Sequence, residues 1–212
     1  VKICASHAGI TLGEDGATHQ ILEDIGMMKM LPGMTVINPC DYNQTKVATI
    51  AIADHIGPVY LRFGRPKWPI FTKENENFII GKAIKFIEGR DVSIFATGHM
   101  LWQALEAEKL LYKMGISSEV INIHTIKPLD KDAILKSAKK TGHVVSCEEH
   151  NVIGGLGESI SRLLSENNPC PMKIIGVNDT FGESGKPLDL LEKYKLNPNT
   201  IKKAVKDLIN SK

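Results

Sequence analysis

The sequence predicts an α/β fold in which parallel or mostly parallel sheets are flanked by helices. The first observation is that short β-branched strand patterns alternate with helix patterns along the chain. This order implies parallel strands that are covered on both faces. The second observation is a glycine-rich loop, ASHAGITLGEDGATHQ, directly after the first strand pattern. Ligands collect at the carboxyl ends of parallel strands, so this loop is the first candidate for a functional site.

Strand and helix patterns alternate from the first residue. VKICASH is β-branched and predicts a strand, and THQILEDIGMMKMLPG predicts a helix that its Pro-Gly pair ends. MTVINP then predicts a short buried strand, NQTKVATIAIAD a helix, and GPVYLRFG a strand that breaks at Gly64. Because the chain starts directly in a strand, we expect upstream residues or another polypeptide to complete this domain.

The composition changes after the segment PKWPIFTKENEN. A polar tract from Thr72 to Asn77 follows two prolines and predicts a linker over residues 72–82. This linker would separate a partial first domain, residues 1–71, from a second domain, residues 83–212. A surface loop inside a single domain is the alternative.

The second domain repeats the alternation of strands and helices. The predicted strands are DVSIFATG, SSEVINIHTI, HVVSCEE and PMKIIGV. The predicted helices are HMLWQALEAEKLLYKMG, DKDAILKSAKKTG, GGLGESISRLLSENN and two closing helices between about Pro187 and Lys212. No internal repeat interrupts this order, which again favours a parallel sheet.

Composition and charge exclude several classes of partner. With 42% hydrophobic and 24% charged residues, the chain is typical of globular domains. Its formal charge of +2 is spread over scattered side chains, which gives no electrostatic basis for binding nucleic acid or a membrane surface. The 4 cysteines form no CxxC pair, and no apolar run approaches the ~18 residues that cross a bilayer. We therefore expect a cytoplasmic protein with small partners and no metal site.

Titratable side chains are concentrated in the opening loop. Asp15 and His19 lie four residues apart, and a helix that began near Asp15 would place both on one side of its first turn. Free backbone N–H groups beside a carboxylate and an imidazole suit a polyhydroxylated or anionic small molecule. Alternatively, Asp15 or Thr18 is a helix cap and His19 is a surface residue.

Several longer motifs carry a resemblance to a known family. SHAGITLGEDGATHQILED, LPGMTVINPCD and LRFGRPKWP resemble the later part of the pyrimidine-binding domain of transketolases. FATGHMLWQALEAEKLL, TGHVVSCEEHNVIGGLGESI and FGESGKPLDLLEKY resemble the transketolase C-terminal domain. GEDGATHQ is the most specific motif, because deoxyxylulose-phosphate synthases and the beta subunits of pyruvate dehydrogenase type enzymes differ there.

The resemblance implies roles for individual residues. His7 matches a catalytic histidine beside the reacting substrate, although Ala8 replaces the acid that commonly follows it. His19 matches a second catalytic histidine, which lies near the donor hydroxyls. Asp15 matches the aspartate that hydrogen-bonds a sugar hydroxyl. Arg65 matches the arginine that holds the terminal phosphate, and a guanidinium suits that bidentate contact. Arg62 competes for this role, unless it is a solvated charge at the sheet edge.

The resemblance also implies a reaction, a cofactor and partners. Transketolases use thiamine diphosphate and Mg²⁺ to move a two-carbon ketol unit between a ketose phosphate and an aldose phosphate, as in the pentose phosphate pathway. The glutamate that activates the cofactor lies upstream of Val1 in the family, and the diphosphate and magnesium bind a separate domain. We therefore expect this chain alone to bind no cofactor and to be inactive, and to need an N-terminal domain or subunit in a split enzyme. The C-terminal domain contributes to homodimers in the family.

Two other functions remain open from the sequence. One is the beta subunit of a 2-oxo acid dehydrogenase or a deoxyxylulose-phosphate synthase-like enzyme, and GEDGATHQ with Arg65 argues against it. The other is a non-catalytic assembly homologue that kept the fold.

Other conspicuous residues are interpreted as structural. Trp68, between two prolines, is expected to anchor the linker on the first domain. The histidines after residue 90 share no metal-ligand spacing. GGLGES at Gly154 to Ser159 resembles a phosphate loop, but close packing of a strand-to-helix turn explains it equally well. The acidic pair Glu148 and Glu149 suits an interface or a site.

Overall fold

The computed structural model describes residues 1–210 and contains two sheets flanked by helices. The strands are β1 Lys2–Ala5, β2 Thr35–Ile37, β3 Val59–Arg62, β4 Ile84–Ile87, β5 Val92–Ala96, β6 Ser118–Asn122, β7 Thr125–Lys127, β8 Val144–Asn151 and β9 Met172–Val177. The helices are α1 Asp24–Met30, α2 Tyr42–Asp54, α3 Met100–Tyr112, α4 Lys131–Thr141, α5 Leu156–Asn167, α6 Pro187–Lys193 and α7 Pro198–Asn210. The end of the last predicted helix, residues 211–212, lies outside the described residues.

Both sheets are mostly parallel, which confirms the predicted fold class. The first sheet has the order β1-β3-β2-β7, with β1 and β2 parallel to β3. The second has the order β4-β6-β5-β8-β9, in which only the edge strand β4 runs antiparallel to its neighbour. The strand β7 pairs antiparallel with β2, so the second half of the chain contributes a strand to the first sheet.

The prediction of one strand over SSEVINIHTI was wrong. The chain turns between β6 and β7 and passes from one sheet to the other. Ile123 donates its backbone N–H to Ala96 in the second sheet, and His124 accepts from Asn38, which follows β2 of the first. An apolar run shows that both parts are buried but carries no information about which sheet each part joins. The edge strand β4 was missed because its residues are only partly buried, which weakens the strand pattern in the sequence.

The first helix is much shorter than predicted. It begins at Asp24, and residues 13–20 form turns in which His19 and Gln20 both donate their N–H groups to the carbonyl of Gly16. Gly13 and Gly16 have φ angles of 92° and 74°, a conformation that favours glycine and is incompatible with a helix start. Asp15 and His19 therefore do not share the first turn of a helix.

Two large apolar clusters hold the elements together. In one, α3 and α7 pack on the second sheet, through residues that include Leu101, Leu111, Ile201 and Val205. The other packs Ile25, Val36 and Tyr60 with Phe95, Ile121, Leu156 and Ile160. Both clusters join the two halves of the chain, because the first also contains Ile10, Leu22 and Cys40. Residues 63–83 contain no helix or strand, and the predicted domain boundary within them remains a prediction.

The buried His124 gives stability a dependence on pH. Its ring is fully buried beside Phe78, with ring centroids 4.1 Å apart, and burial lowers the pKa of His124 to about 4. The unfolded chain takes up this proton near pH 6.5, and the folded chain does so only near pH 4. Acidification between these values therefore favours unfolding.

The free energy of unfolding should decrease between pH 6.5 and 4. We expect this decrease to be about 2 to 3 kcal/mol smaller in His124→Gln than in the unchanged protein. Urea denaturation at several pH values measures this slope. Burial also lowers the pKa of His150 to about 4, so part of the slope should persist in the variant. The control is the exposed His19→Gln, whose profile should follow the unchanged protein. Equal slopes in all three proteins would contradict this assignment.

Candidate functional site

The opening loop is fixed at both ends by the first sheet and its surroundings. Ala8 donates its N–H to Phe63 after β3, and Gly9 donates to Ile21 before α1. The residues between these anchors include a short buried 3-10 turn, Ile10–Leu12. Glu14, Asp15 and His19 of this loop by contrast are exposed, as is Arg65 in the neighbouring loop after β3. The opening loop therefore presents its polar side chains from a buried base.

The structure brings together the two residues that the resemblance assigns to the substrate. The guanidinium Nη1 of Arg65 donates to Oδ2 of Asp15 at 2.6 Å, although the residues are 50 positions apart. Their side chains are 45% and 44% exposed. Such an exposed pair stabilises the fold little, because water screens it. Both groups can therefore exchange this contact for one with a ligand at small cost.

The two predicted catalytic histidines are both exposed. Nδ1 of His7 lies 2.7 Å from the Ser6 hydroxyl, and Nδ1 of His19 lies 2.9 Å from the Thr18 hydroxyl. His7 has a φ angle of 68°, in the left-handed region that residues other than glycine rarely adopt. A strained backbone of this kind persists only where the surrounding structure fixes it, and it is concentrated at functional sites.

Arg62 is buried, so its interpretation as a solvated charge at the sheet edge was wrong. Its ion pair with a buried carboxylate makes Arg65 the better candidate for the phosphate. The Arg62 side chain is 3% exposed, and Nε donates to Oδ2 of Asp24 at 2.8 Å. The hydroxyl of Tyr60 donates to the same oxygen at 2.7 Å. Burial raises the pKa of Asp24, but the charge and hydrogen bond of Arg62 outweigh it, so the pKa is lowered. Strand β3 is buried along its whole length, which is why alternation did not place Arg62.

Glu149 connects the second half of the chain to the loop, a role that the sequence indicated only through the position of an acidic pair on a strand. Its Oε1 accepts the N–H of Thr11 at 2.6 Å, and its Oε2 lies 3.5 Å from Nδ1 of His99. Burial opposes ionisation of Glu149, but His99 and the Thr11 N–H outweigh it and lower its pKa. An ionised carboxylate therefore lies directly beneath the loop.

The glycine-rich turn at Gly154 to Ser159 is a packing feature. Oε2 and Oε1 of Glu148 accept the N–H groups of Leu156 and Gly157 at 2.6 and 2.9 Å, at the start of α5. The chain's own carboxylate thus occupies the position that a phosphate would take. Complete burial raises the pKa of Glu148 to about 7 despite these two donors.

Trp68 contacts the second half of the chain, a contact that the sequence did not predict. Its ring stacks on His99, which precedes α3, with centroids 4.3 Å apart and planes 12° apart. It also packs against the apolar cluster that contains α3 and α7, to which Ile10, Leu22 and Cys40 of the first half belong as well. A pocket of about 590 Å³ lies beside this stack and is lined by Arg65, Lys67 and Tyr42, among others.

The described residues do not fit the diphosphate and magnesium of the cofactor that the resemblance implies. Among residues 1–210, no group of three or more His, Cys, Asp or Glu side chains is arranged to hold a metal ion. The one helix start with a phosphate-loop sequence is already bound by Glu148. We assign no contact with this part of the cofactor to the chain. Within the same residues, no helix combines the length and apolar character needed to cross a membrane.

Two family models match the sequence. The model of the transketolase pyrimidine binding domain matches residues 1–69, and the model of the transketolase C-terminal domain matches residues 81–201. The family uses thiamine diphosphate, as the resemblance implies.

Two relatives and one solved structure cover nearly the whole chain. A 6-deoxy-6-sulfo-D-fructose transketolase subunit of Clostridium sp. (strain MSTE9) is 44% identical over 100% of this chain and 66% of its own length. An apulose-4-phosphate transketolase subunit of Phocaeicola vulgatus is 36% identical over 99% of this chain and 67% of its own length. The structure of a split gene transketolase, as an inactive beta4 tetramer, aligns with a TM-score of 0.92 and 43% identity over 99% of this chain and 67% of its own. The chain spans about two thirds of the length of these proteins. On these matches, the chain belongs to the transketolase family.

Proposed function

We propose that the chain is the C-terminal portion of a transketolase that transfers a two-carbon ketol unit between ketose and aldose phosphates. The observation that carries the proposal is the ion pair between Arg65 and Asp15, which joins the loops after β1 and β3. A carboxylate for a hydroxyl and a guanidinium for a phosphate then lie side by side, as a sugar phosphate requires.

Each residue of this site has a proposed task. Arg65 holds the terminal phosphate of the sugar, and Asp15 accepts a hydrogen bond from a hydroxyl near the reacting carbon. His7 and His19 lie beside the reacting part of the substrate, where an imidazole can donate or accept a proton. The exposure of all four side chains supports these tasks, because a sugar can reach them directly.

The remainder of the active site is proposed to come from other polypeptide. Thiamine diphosphate supplies the carbon chemistry when bound, and its diphosphate and Mg²⁺ are held by an N-terminal domain or subunit. The names of the relatives support this division, because two of them are transketolase subunits and the solved structure belongs to a split gene transketolase. We further propose that a second copy of this chain is part of the assembled enzyme.

The purified 212-residue chain is expected to show no ketol transfer with thiamine diphosphate, Mg²⁺, a ketose phosphate donor and an aldose phosphate acceptor. The reason is that its described residues supply no metal cluster and no free phosphate loop. Transfer should appear when the chain is assembled with the polypeptide that carries the cofactor-binding domain. A coupled assay of ketose formation measures both reactions.

Two results would contradict the proposal. Ketol transfer by the isolated chain, free of contaminating full-length enzyme, would show that the missing parts are dispensable. An assembled complex that binds the cofactor but transfers no ketol unit to any aldose phosphate would favour the non-catalytic alternative.

A further inference from the structure

A loop from the far end of the chain lies directly against the opening loop. This loop, residues 181–186 with the sequence FGESGK, connects β9 to α6. The buried side chain of Gln20 joins the two loops. Its Nε2 lies 3.1 Å from the carbonyl oxygen of Ile10, 3.3 Å from that of Gly13 and 2.9 Å from that of Glu183. One amide group therefore ties both ends of the site loop to the C-terminal half.

The contact leaves no space for additional atoms. A Cβ atom at Gly182 would collide with Oε1 of Gln20, and a Cβ atom at Gly16 would come within 2.5 Å of the hydroxyl oxygen of Ser184. A real Cβ is essentially never found so close to another atom. The backbone of Gly182 thus packs against the Gln20 side chain, and the backbone of Gly16 packs against Ser184.

We propose that Gln20 is a positioning residue of the sugar site. Its contact with residues 181–186 holds the opening loop in a fixed position. Asp15 and His19 both lie on the segment that Gln20 closes, because its amide spans from Ile10 to the residue after His19. The C-terminal half of the chain thereby shapes the substrate site without touching the substrate. The effect of Gln20 on catalysis rests on the proposed function. The fixing of the opening loop rests only on the observed contacts.

The chemistry of the amide explains why this position needs glutamine. The Nε2 group has two hydrogens to share among three carbonyl oxygens. The carbonyls of Ile10 and Gly13 also accept the N–H groups of Gly13 and Gly16, so the contact with Glu183 is the one that joins the two loops. At position 20, methionine has a similar length but no hydrogen-bond donor. Glutamate would place carboxylate oxygens against the carbonyl oxygens, and both are acceptors. Either substitution leaves the loop free to move relative to the C-terminal half.

The first experiment measures amide hydrogen exchange in the full chain and does not depend on activity. The variants are Gln20→Met and Gly182→Ala, one on each side of the contact. Both should speed hydrogen exchange of the backbone N–H groups at positions 19 and 20 by about tenfold. Exchange in the central strands of the second sheet should not change. The control is Thr180→Ala, an exposed residue two positions from Gly182. If neither variant speeds exchange in the loop, the proposal is overturned.

The second experiment measures substrate discrimination in the assembled enzyme. The acceptors are an aldose phosphate with a hydroxyl beside the reacting carbon and its 2-deoxy analogue. Gln20→Met and Gly182→Ala should lower kcat by about a hundredfold and should lower the ratio of kcat/KM between the two acceptors by about tenfold. Partial unfolding alone lowers both rates together and leaves this ratio unchanged.

The outcomes separate the two proposals. An assembled wild-type enzyme without ketol transfer contradicts the proposed function, and the exchange experiment still decides whether Gln20 fixes the loop. An active wild-type enzyme whose variants keep the full acceptor ratio contradicts the positioning role of Gln20.

Discussion

Replacing Arg62 with methionine is expected to lower the free energy of unfolding by about 3 to 5 kcal/mol at pH 7. The substitution keeps most of the side-chain volume but leaves Asp24, which is 1% exposed, as a buried charge with only Tyr60 as a hydrogen-bond partner for Oδ2. It also removes the donor to the Glu149 carbonyl, which Arg62 Nη2 contacts at 2.9 Å. Urea denaturation of the two proteins measures the difference. Since whole domains are stable by about 5 to 15 kcal/mol, this effect is large.

Two control variants distinguish the buried charge from lost packing. The double variant Asp24→Asn with Arg62→Met should recover most of the loss, because no ionised group is then left without its partner. Lys46→Met removes an exposed ion pair with Glu74 and should change stability little. A single variant at Arg62 that is no less stable than the Lys46 variant would contradict the importance of the buried pair.

Arg65→Ala is expected to raise KM for phosphorylated sugars by about tenfold to a hundredfold in the assembled enzyme, with little change in kcat. A guanidinium on the terminal phosphate binds the ground state and the transition state equally, and a hydrogen bond to a charged group contributes about 1.5 to 3 kcal/mol. Unphosphorylated analogues should change little. His19→Ala should instead lower kcat for both kinds of substrate, because its ring is proposed to lie beside the developing charge. Steady-state kinetics with matched pairs of sugars measure these effects.

The ion pair with Asp15 calls for a matched control at that position. If Arg65 acts only by holding Asp15, then Asp15→Asn should raise KM for phosphorylated sugars as much as Arg65→Ala does. If Arg65→Ala slows phosphorylated and unphosphorylated sugars equally, the phosphate assignment fails. Lys67, an exposed cation that lines the same pocket, is then the next residue to test.

The sequence predicted the elements more accurately than their arrangement. Helices α2 to α5 lie where their apolar spacing placed them, because local periodicity reports the buried face of a helix directly. The division of SSEVINIHTI between two sheets depends on hydrogen bonds to Asn38 and Ala96, which are distant in sequence. The pattern of residues within a segment does not show which distant residues will become its hydrogen-bond partners.

The same limit applies to the candidate site. Asp15 and Arg65 were identified through motifs, but nothing in the residues between them indicated that they would meet. Gln20 and Glu149 were missed as loop anchors because their importance depends on contacts with Glu183 and Thr11, each more than 100 positions away. Arg62 was misjudged because a strand buried on both faces gives alternation no meaning.

The antiparallel pairing of β7 with β2 has a consequence for where this chain can be divided. Cutting the chain anywhere between residues 63 and 83 would separate β2 from the strand that completes its side of the sheet. Each product would then carry an unpaired strand edge, which favours aggregation. The two products of such a cut would therefore have to associate before this side of the sheet is complete.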